Sequence, residues 1–338
     1  MTNRNSSGKN SPFLLKPAGK DYLWGGNRLN DDFSKGIDLK PLAETWECST
    51  HPDGPSRVAS GAHTGALLAD VLRTHPSYLG THPDGTDGLP ILIKFIDAKR
   101  DLSVQVHPDD TYAREQEHEP RGKSEMWYVL DAAKDASLVY GFRHDMMKAD
   151  LEESLRKGTV EKYLQKVPVQ RDDVFYIKAG TVHAIGAGVL IAEIQESSNL
   201  TYRMYDYNRV DKNGNPRELH IEKSLAVANL KGSAEPRQPM RVLRYREGCA
   251  SEFLCRCQYF QAERLLVNTE RCRKMADFQT GSNSFQVLLC TNGCGTVLWG
   301  EGEEAQSLPF FRGDCIFVPA DSVPMKLHGK AQFLKVSC

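Results

Sequence analysis

Leu102-Ser103-Val104-Gln105-Val106-His107-Pro108 decides the fold class of this 338-residue chain. Apolar and polar residues alternate through it, which is the period of a β-strand with one face in a core. Ser103, Gln105 and His107 share the polar face, and Pro108-Asp109-Asp110 ends the run. Working outward, the same pattern recurs. Ser124–Leu130 reads as a second strand, with Lys123, Glu125 and Trp127 on one face. Asp173–Ile177 leads through the turn Lys178-Ala179-Gly180 to His183. Leu89–Asp97 is an apolar strand interrupted by Lys94, and Val189–Gln195 carries Glu193 and Gln195 beside Val189 and Ile191. Thr201, Arg203 and Tyr205 alternate in the segment that follows.

Helical spacing is confined to short insertions. Leu67, Leu68, Val71 and Leu72 predict a helix over 64–73. Between 150 and 165 the period turns helical again, with Asp150 and Glu153 as a capping box and Gly158 separating two short helices. Lys231–Pro239 contains Gly, Ser and two Pro and marks a domain boundary. Beyond it, strands and turns recur to Cys338, which predicts a small all-β unit. Its Gly313–Ala320 run echoes Asp172–Ala179, but Pro324 stands where the first copy has His183. The expected organisation is a disordered tail over 1–12, a metal-binding domain over 13–235, and an all-β domain without metal ligands over 236–338.

Composition narrows the function classes. The chain is 40% hydrophobic and 26% charged, as ordinary globular proteins are. A net charge of −1 leaves no polybasic footprint for nucleic acid or an anionic membrane. No apolar run approaches the roughly 18 residues that span a bilayer, and the polar opening has no signal-peptide core. Of the nine cysteines, eight lie at or beyond Cys249. Cys255-Arg256-Cys257 and Cys290…Cys294 have no second pair at zinc-site spacing, so reduced thiols in a cytoplasmic protein are expected.

Two imidazoles and a carboxylate on strands or strand ends form a ligand set for one divalent ion. His107, Glu125 and His183 supply it, and Gln105 adds an amide oxygen on the His107 face. That layout is one of a metal-binding β-barrel. Lys123 lies on the face of Glu125, where its ammonium reaches a bound anion or oxygen. Glu193 in an apolar strand needs a partner or a use, because burying a lone carboxylate is costly; Arg203 and Lys94 are the available partners. Arg203 offers a planar fork for carboxylate or phosphate. Lys94 and Ser103 are candidate anion ligands, and Trp24, Trp46 and Trp127 read as core or rim.

Leu102–Asp109, Gly122–Trp127, Ala179–Ile185 and the Glu193–Arg203 segment ending Asn-Leu-Thr-Tyr-Arg resemble the type I mannose-6-phosphate isomerases, most of all their short bacterial form. Tyr22-Leu-Trp-Gly25 and Glu44-Thr-Trp-Glu47 fit as well, so the resemblance covers about residues 13–230 strongly. It implies a mainly β chain, with a cupin-type (jelly-roll) barrel, short helical insertions and a second, smaller barrel at the C-terminus. It implies one zinc ion, with Gln105, His107, Glu125 and His183 as metal ligands. It also gives Arg203 a catalytic role and puts Lys123 and Glu193 near a sugar phosphate, leaving open which of those two moves a proton. The implied reaction is the exchange of mannose 6-phosphate and fructose 6-phosphate through a cis-enediol. Two rival readings use the same ligand set: a non-haem Fe(II) oxygenase, and a non-catalytic sugar-phosphate or metal sensor. Gln105 as a further ligand and the clustered Lys and Arg side chains argue against the oxygenase.

Overall fold

A computed structural model describes residues 10–83, 88–210, 213–234, 236–238 and 241–338. Its dominant elements are antiparallel strands in three sheets. The six-stranded sheet runs Val174–Ile177, Glu125–Ala132, Val189–Glu196, Ile91–Ala98, Glu44–Cys48, Ala18–Lys20. The five-stranded sheet runs Tyr202–Tyr205, Val104–Val106, His183–Ile185, Ser137–Phe142, Leu164–Pro168. A shared core lies between these two sheets. Ile96, Trp127, Val129, Phe175 and Ile191 from the first pack with Leu138 and Ile185 from the second.

The strand reading explains why the chain chose this arrangement. Val189–Glu196 and Ile91–Ala98 are central strands, buried on both faces, and their apolar runs match that position. The polar residues within them, Glu193 and Lys94, are therefore buried, at 3% and 4% exposure. Pairing sets which side chains meet. His183 lies opposite Gln105, and Gln105 lies opposite Arg203, so one face of the five-stranded sheet gathers all three.

The chain divides into two compact units: Gly19–Thr45 with Leu92–Pro239, and residues up to Ala18 with Trp46–Ile91 and Met240–Cys338. The second unit holds the ten-stranded sheet, whose longest strands are Gln286–Trp299 and Met325–Ser337. The segments 13–18 and 46–91, expected with the first domain, group with the C-terminal residues instead. Strand Phe13–Lys16 pairs with Cys315–Val318, Phe13 opposite Phe317, and Arg57–Val58 pairs with Phe13–Lys16. Both echoed strands form, Val174–Ile177 in the first unit and Cys315–Val318 in the second. Most of the expected tail lies outside the described residues, as do Glu235 and Pro239 of the expected linker. Asn10 is held: its side-chain amide donates to the Ala320 carbonyl.

The helical insertions fall where spacing put them, with shifted ends. The first is Leu68–Thr74. The second, Lys148–Arg156, starts after Met147 without a side-chain cap. Asp150 therefore sits inside the first turn, where its charge favours the helix N-terminus, and is not a capping residue. Gly158, at φ +64°, separates this helix from the turn Val160–Lys162. A further helix, Ile221–Val227, was not expected from the spacing; its Leu225 packs on the outer core beside Tyr202 and Met204. No helix among the described residues is long and apolar enough to cross a membrane.

Phe333 is fully buried in the core of the ten-stranded sheet, its ring 4.8 Å from that of Phe310. Phe333→Ala removes that ring where neighbouring strands restrict collapse, so a loss of about 3–5 kcal/mol is expected. Urea unfolding followed by fluorescence and circular dichroism together measures it; a loss below about 1 kcal/mol would mean that the sheet repacks.

Candidate metal centre and active site

His107, Glu125 and His183 converge, each offering a ligand atom within 4.8 Å of the others. All are buried: the imidazoles at 1% and 0% exposure and the carboxylate at 0%. Glu125 opens a strand of the six-stranded sheet, His183 opens one of the five-stranded sheet, and His107 follows Val106. His107 Nε2 lies 3.6 Å from one Glu125 oxygen and His183 Nε2 lies 3.4 Å from the other.

The backbone fixes both rings for ligation. His107 Nδ1 donates to the Leu200 carbonyl at 2.8 Å, and His183 Nδ1 donates to the Thr181 carbonyl at 2.8 Å. A neutral imidazole that donates from Nδ1 presents a lone pair at Nε2. Burial pushes the His183 imidazole down to about 4 and the His107 imidazole well below its usual range. Lys123 lowers His107 further. Burial, helped by the charge of Glu193, raises Glu125 to about 7 against the pull of Lys123. Among the described residues His183 Nε2 and Glu125 Oε1 are buried without a hydrogen-bond partner, while Lys123 meets the other Glu125 oxygen. Buried polar atoms without partners are costly, and a divalent ion is a group that these neutral nitrogens and this carboxylate would satisfy. The residues fit a metal.

A cavity of about 270 Å³ opens beside the triad. Gln105, Lys123, Glu193, Lys94, Ser103 and Arg203, all singled out from the sequence, line it. Lys123 connects it to the triad, with Nζ 2.9 Å from a Glu125 oxygen and 3.2 Å from His107 Nε2. Gln105 lies on the cavity wall, paired in the ladder with His183. Glu193 finds its partner in Lys94, 3.2 Å away, and accepts from Trp127 Nε1 at 3.0 Å. Burial opposes the charge on Glu193, but Lys94 and Lys123 hold its carboxyl below the usual range. Lys94 in turn is raised: burial lowers it, and Glu193 and Glu44 more than compensate. Arg203 donates from Nη1 to the Glu218 carbonyl at 2.8 Å, while its Nε has no hydrogen-bond partner among the described residues.

Glu44, Tyr22, Thr201 and Arg217 line the same cavity and were not named as site residues from the sequence. Trp24 stands on its rim, and Trp46 and Trp127 are fully buried. A signal for Glu44 existed, since a lysine buried in Ile91–Ala98 demands a counter-charge, and Glu44 opens the neighbouring strand, 3.8 Å from Lys94 Nζ. Arg217 gave none, being in a loop without periodicity, where Asp206 fixes it through Nε at 2.8 Å.

The family model for the catalytic domain of type I phosphomannose isomerases matches residues 13–135. The mannose-6-phosphate isomerase ManA of Bacillus subtilis is 35% identical over 324 residues, covering 95% of this chain and 97% of that protein. The chain belongs to the type I phosphomannose isomerase family. A crystal structure of the mannose 6-phosphate isomerase from Bacillus subtilis superposes with a TM-score of 0.87 at 32% identity, over 97% of this chain and 99% of that one. A zinc-bound mannose 6-phosphate isomerase shares the fold at a TM-score of 0.73 and 17% identity, over 96% of this chain and 99% of that one. The chain is thus an isomerase of mainly β, cupin-type fold, and the match runs through both of its units.

The loop that carries Lys123 rests on a second buried carboxyl. Glu196 Oε1 accepts from the Ser124 N–H at 2.7 Å, and the Gly122 N–H donates to Asp110 at 2.8 Å. Burial pushes Glu196 up to about 8, with Ser124 opposing the rise and Asp110 adding to it. Between about pH 4.5 and 8 the folded protein therefore keeps a proton that the unfolded chain has lost. Stability from this group is complete at the acid end and is lost as pH climbs towards 8. Glu196→Gln keeps the acceptor and removes the titration. Urea midpoints of variant and parent should coincide at about pH 5, with the variant more stable by about 2–4 kcal/mol at about pH 8.5. Parallel pH profiles would place the proton elsewhere.

Proposed function

We propose that this chain interconverts mannose 6-phosphate and fructose 6-phosphate through a cis-enediol, with one zinc ion held by His107, Glu125 and His183. The observation that carries the reading is the junction at Lys123, where a buried triad with unpartnered His183 Nε2 and Glu125 Oε1 meets a cavity lined by cationic side chains. The names of the relatives, one of them zinc-bound, agree with it. When bound, zinc supplies Lewis-acid polarisation of a carbonyl oxygen. Gln105, opposite His183 in the ladder, is the candidate further ligand.

The remaining work belongs to side chains of the cavity. Shifting a carbonyl between C1 and C2 requires a proton α to it to be taken and returned. Glu193 is engaged by Lys94 and Trp127, whereas Lys123 Nζ reaches both triad and cavity. We therefore assign the proton to Lys123 and give Glu193 the task of holding Lys94 in place. Arg203 stabilises developing oxyanion charge with its unspent Nε donor. Lys94 and Ser103 face the phosphate, Lys94 with its charge shared between Glu193 and Glu44. The catalytic unit is Gly19–Thr45 with Leu92–Pro239, and a cytoplasmic location suits a sugar-phosphate enzyme.

Zinc-loaded protein should form fructose 6-phosphate from mannose 6-phosphate in an assay coupled to its oxidation or phosphorylation. Turnover no greater than that of metal-stripped protein would overturn the proposal, as would a C2 proton that never exchanges with solvent.

A further inference from the structure

Arg217 lines the cavity beside the triad together with Arg203. The backbone explains how a loop residue comes to stand there. The Arg203 N–H donates to His220 Nδ1 at 3.1 Å, and the His220 N–H donates back to the Arg203 carbonyl at 2.8 Å. Arg203 Nη1 donates to the Glu218 carbonyl at 2.8 Å. The loop is thus laced along Arg203, and the residue before Glu218 is delivered beside its guanidinium.

Asp206 then aims the Arg217 side chain. Its carboxylate, at 4% exposure, accepts from Arg217 Nε at 2.8 Å and Nη2 at 2.5 Å. This two-point grip fixes the plane of the guanidinium and leaves Nη1 without a hydrogen-bond partner among the described residues. Arg209 holds the same carboxylate through Nη2, but spends Nε on the Asp206 carbonyl and Nη1 on the Asp101 carbonyl. Arg217 belongs to the cavity lining and Arg209 does not. Burial works against the Asp206 charge, and Arg217 and Arg209 more than compensate, holding the carboxyl below its usual range.

Charge is in surplus at this corner. Arg203, Arg209 and Arg217 gather around one buried carboxylate, Asp206. The Glu218 carboxylate is 82% exposed and lies 3.8 Å from His220, where water screens it. Lys94 is placed differently, since Glu193 at 3.2 Å and Glu44 at 3.8 Å divide its charge. An anion entering the cavity therefore meets its least compensated cations among the arginines. At about 270 Å³ the cavity lies at the small end of ligand pockets, so a ligand seated in it comes close to every wall.

We propose that Arg217, aimed by Asp206, is a specificity-determining residue that binds the substrate's phosphate through Nη1, joining Lys94 and Ser103, and so favours phosphorylated over free sugar. The assignment rests on the isomerase reading above. A planar donor that is always charged suits a phosphate dianion, whereas a free sugar offers it only hydroxyls.

The zinc-loaded, full-length protein and its Arg217→Gln variant are compared by steady-state kinetics with mannose 6-phosphate and by calorimetric binding of inorganic phosphate, which needs no turnover. The substitution is at a half-buried loop position and leaves Asp206 its bond from Arg209, so the fold should survive; circular dichroism and thermal melting check it. KM for the sugar phosphate and Kd for inorganic phosphate should each rise by about thirtyfold, with kcat lower by about threefold at most. Arg217→Lys keeps the charge without the fork and should fall between variant and parent. Arg209→Gln removes an equal charge outside the lining and should raise KM by less than about fivefold. KM and Kd within about threefold of the parent's overturn the proposal. So does an equal rise in Arg209→Gln, which would make the effect one of general field, and so does a loss confined to kcat, which would move Arg217 into the chemistry. Phosphate binding that depends on Arg217 in a parent that forms no fructose 6-phosphate would uphold Arg217 as the anion ligand and overturn the isomerase reading instead.

Discussion

His183→Ala should strip the protein of zinc and of activity together. The expected metal content, read by mass spectrometry after dialysis, is below about a tenth of the parent's, and kcat/KM falls by about a thousandfold or more. His183 supplies one of the buried candidate ligand atoms, and its Nδ1–H bond to Thr181 leaves Nε2 free for that task. The ring also packs edge-on against Trp127, 5.3 Å between centroids, and 4.7 Å from the His107 ring. Its loss therefore opens space beside Glu125 as well as removing a ligand. His183→Gln separates the two effects: it fills more of the space but lacks an imidazole nitrogen, so it should recover stability without recovering zinc. Zinc retained at parental content in His183→Ala would show that these three residues are not the metal centre.

Charge placement explains why metal and substrate belong together here. Glu44 and Glu193 pair with Lys94, and Glu125 pairs with Lys123, so much of the lysine charge is engaged by carboxylates. A divalent ion beside Glu125 would add positive charge next to a cavity that Arg203 and Arg217 also line, and so favour an anion there. Metal removal should thus weaken binding of the phosphorylated sugar as well as stop its conversion.

Much of this was legible along the chain because the determinants are local. Period-two alternation in Leu102–His107 and Ser124–Leu130 set both the strands and the polar faces, and the candidate ligands lie where those faces meet. What stayed illegible depends on partners far apart in sequence. Nothing near Phe13 says that its strand will pair beside Phe317, because a strand's partners are chosen by the whole sheet. The start of the helix around Asp150 is ambiguous for a related reason: an acidic residue in a first turn and a capping residue look alike in sequence, and only the backbone at Met147 separates them. Arg217 reached the cavity through a loop, where no period exists to announce it. The charges in central strands were the most informative misfits. Glu193 reads as an expensive burial with Arg203 or Lys94 as its partner, and of the two it is Lys94 that it meets, each offsetting much of the other's cost.

Arg203→Ala should behave in the opposite way to His183→Ala, keeping zinc while losing rate. Arg203 lies on the strand next to Val104–Val106, opposite Gln105, and touches none of the three ligand residues by ion pair or hydrogen bond. Its backbone N–H donates to His220 Nδ1 at 3.1 Å, and its Nη1 is held by the Glu218 carbonyl. Burial and the nearby Arg217 both act against its charge, yet the guanidinium remains the cation at any working pH. A fixed cation with a free Nε donor is worth most where negative charge appears only during reaction. Its removal should therefore lower kcat by about a hundred- to a thousandfold while KM changes by less than about tenfold. Arg203→Lys keeps the charge but not the planar fork, and should recover only part of the rate. Zinc lost in step with activity would move Arg203 into the metal centre's support, and a kcat within about threefold of the parent's would remove it from the chemistry.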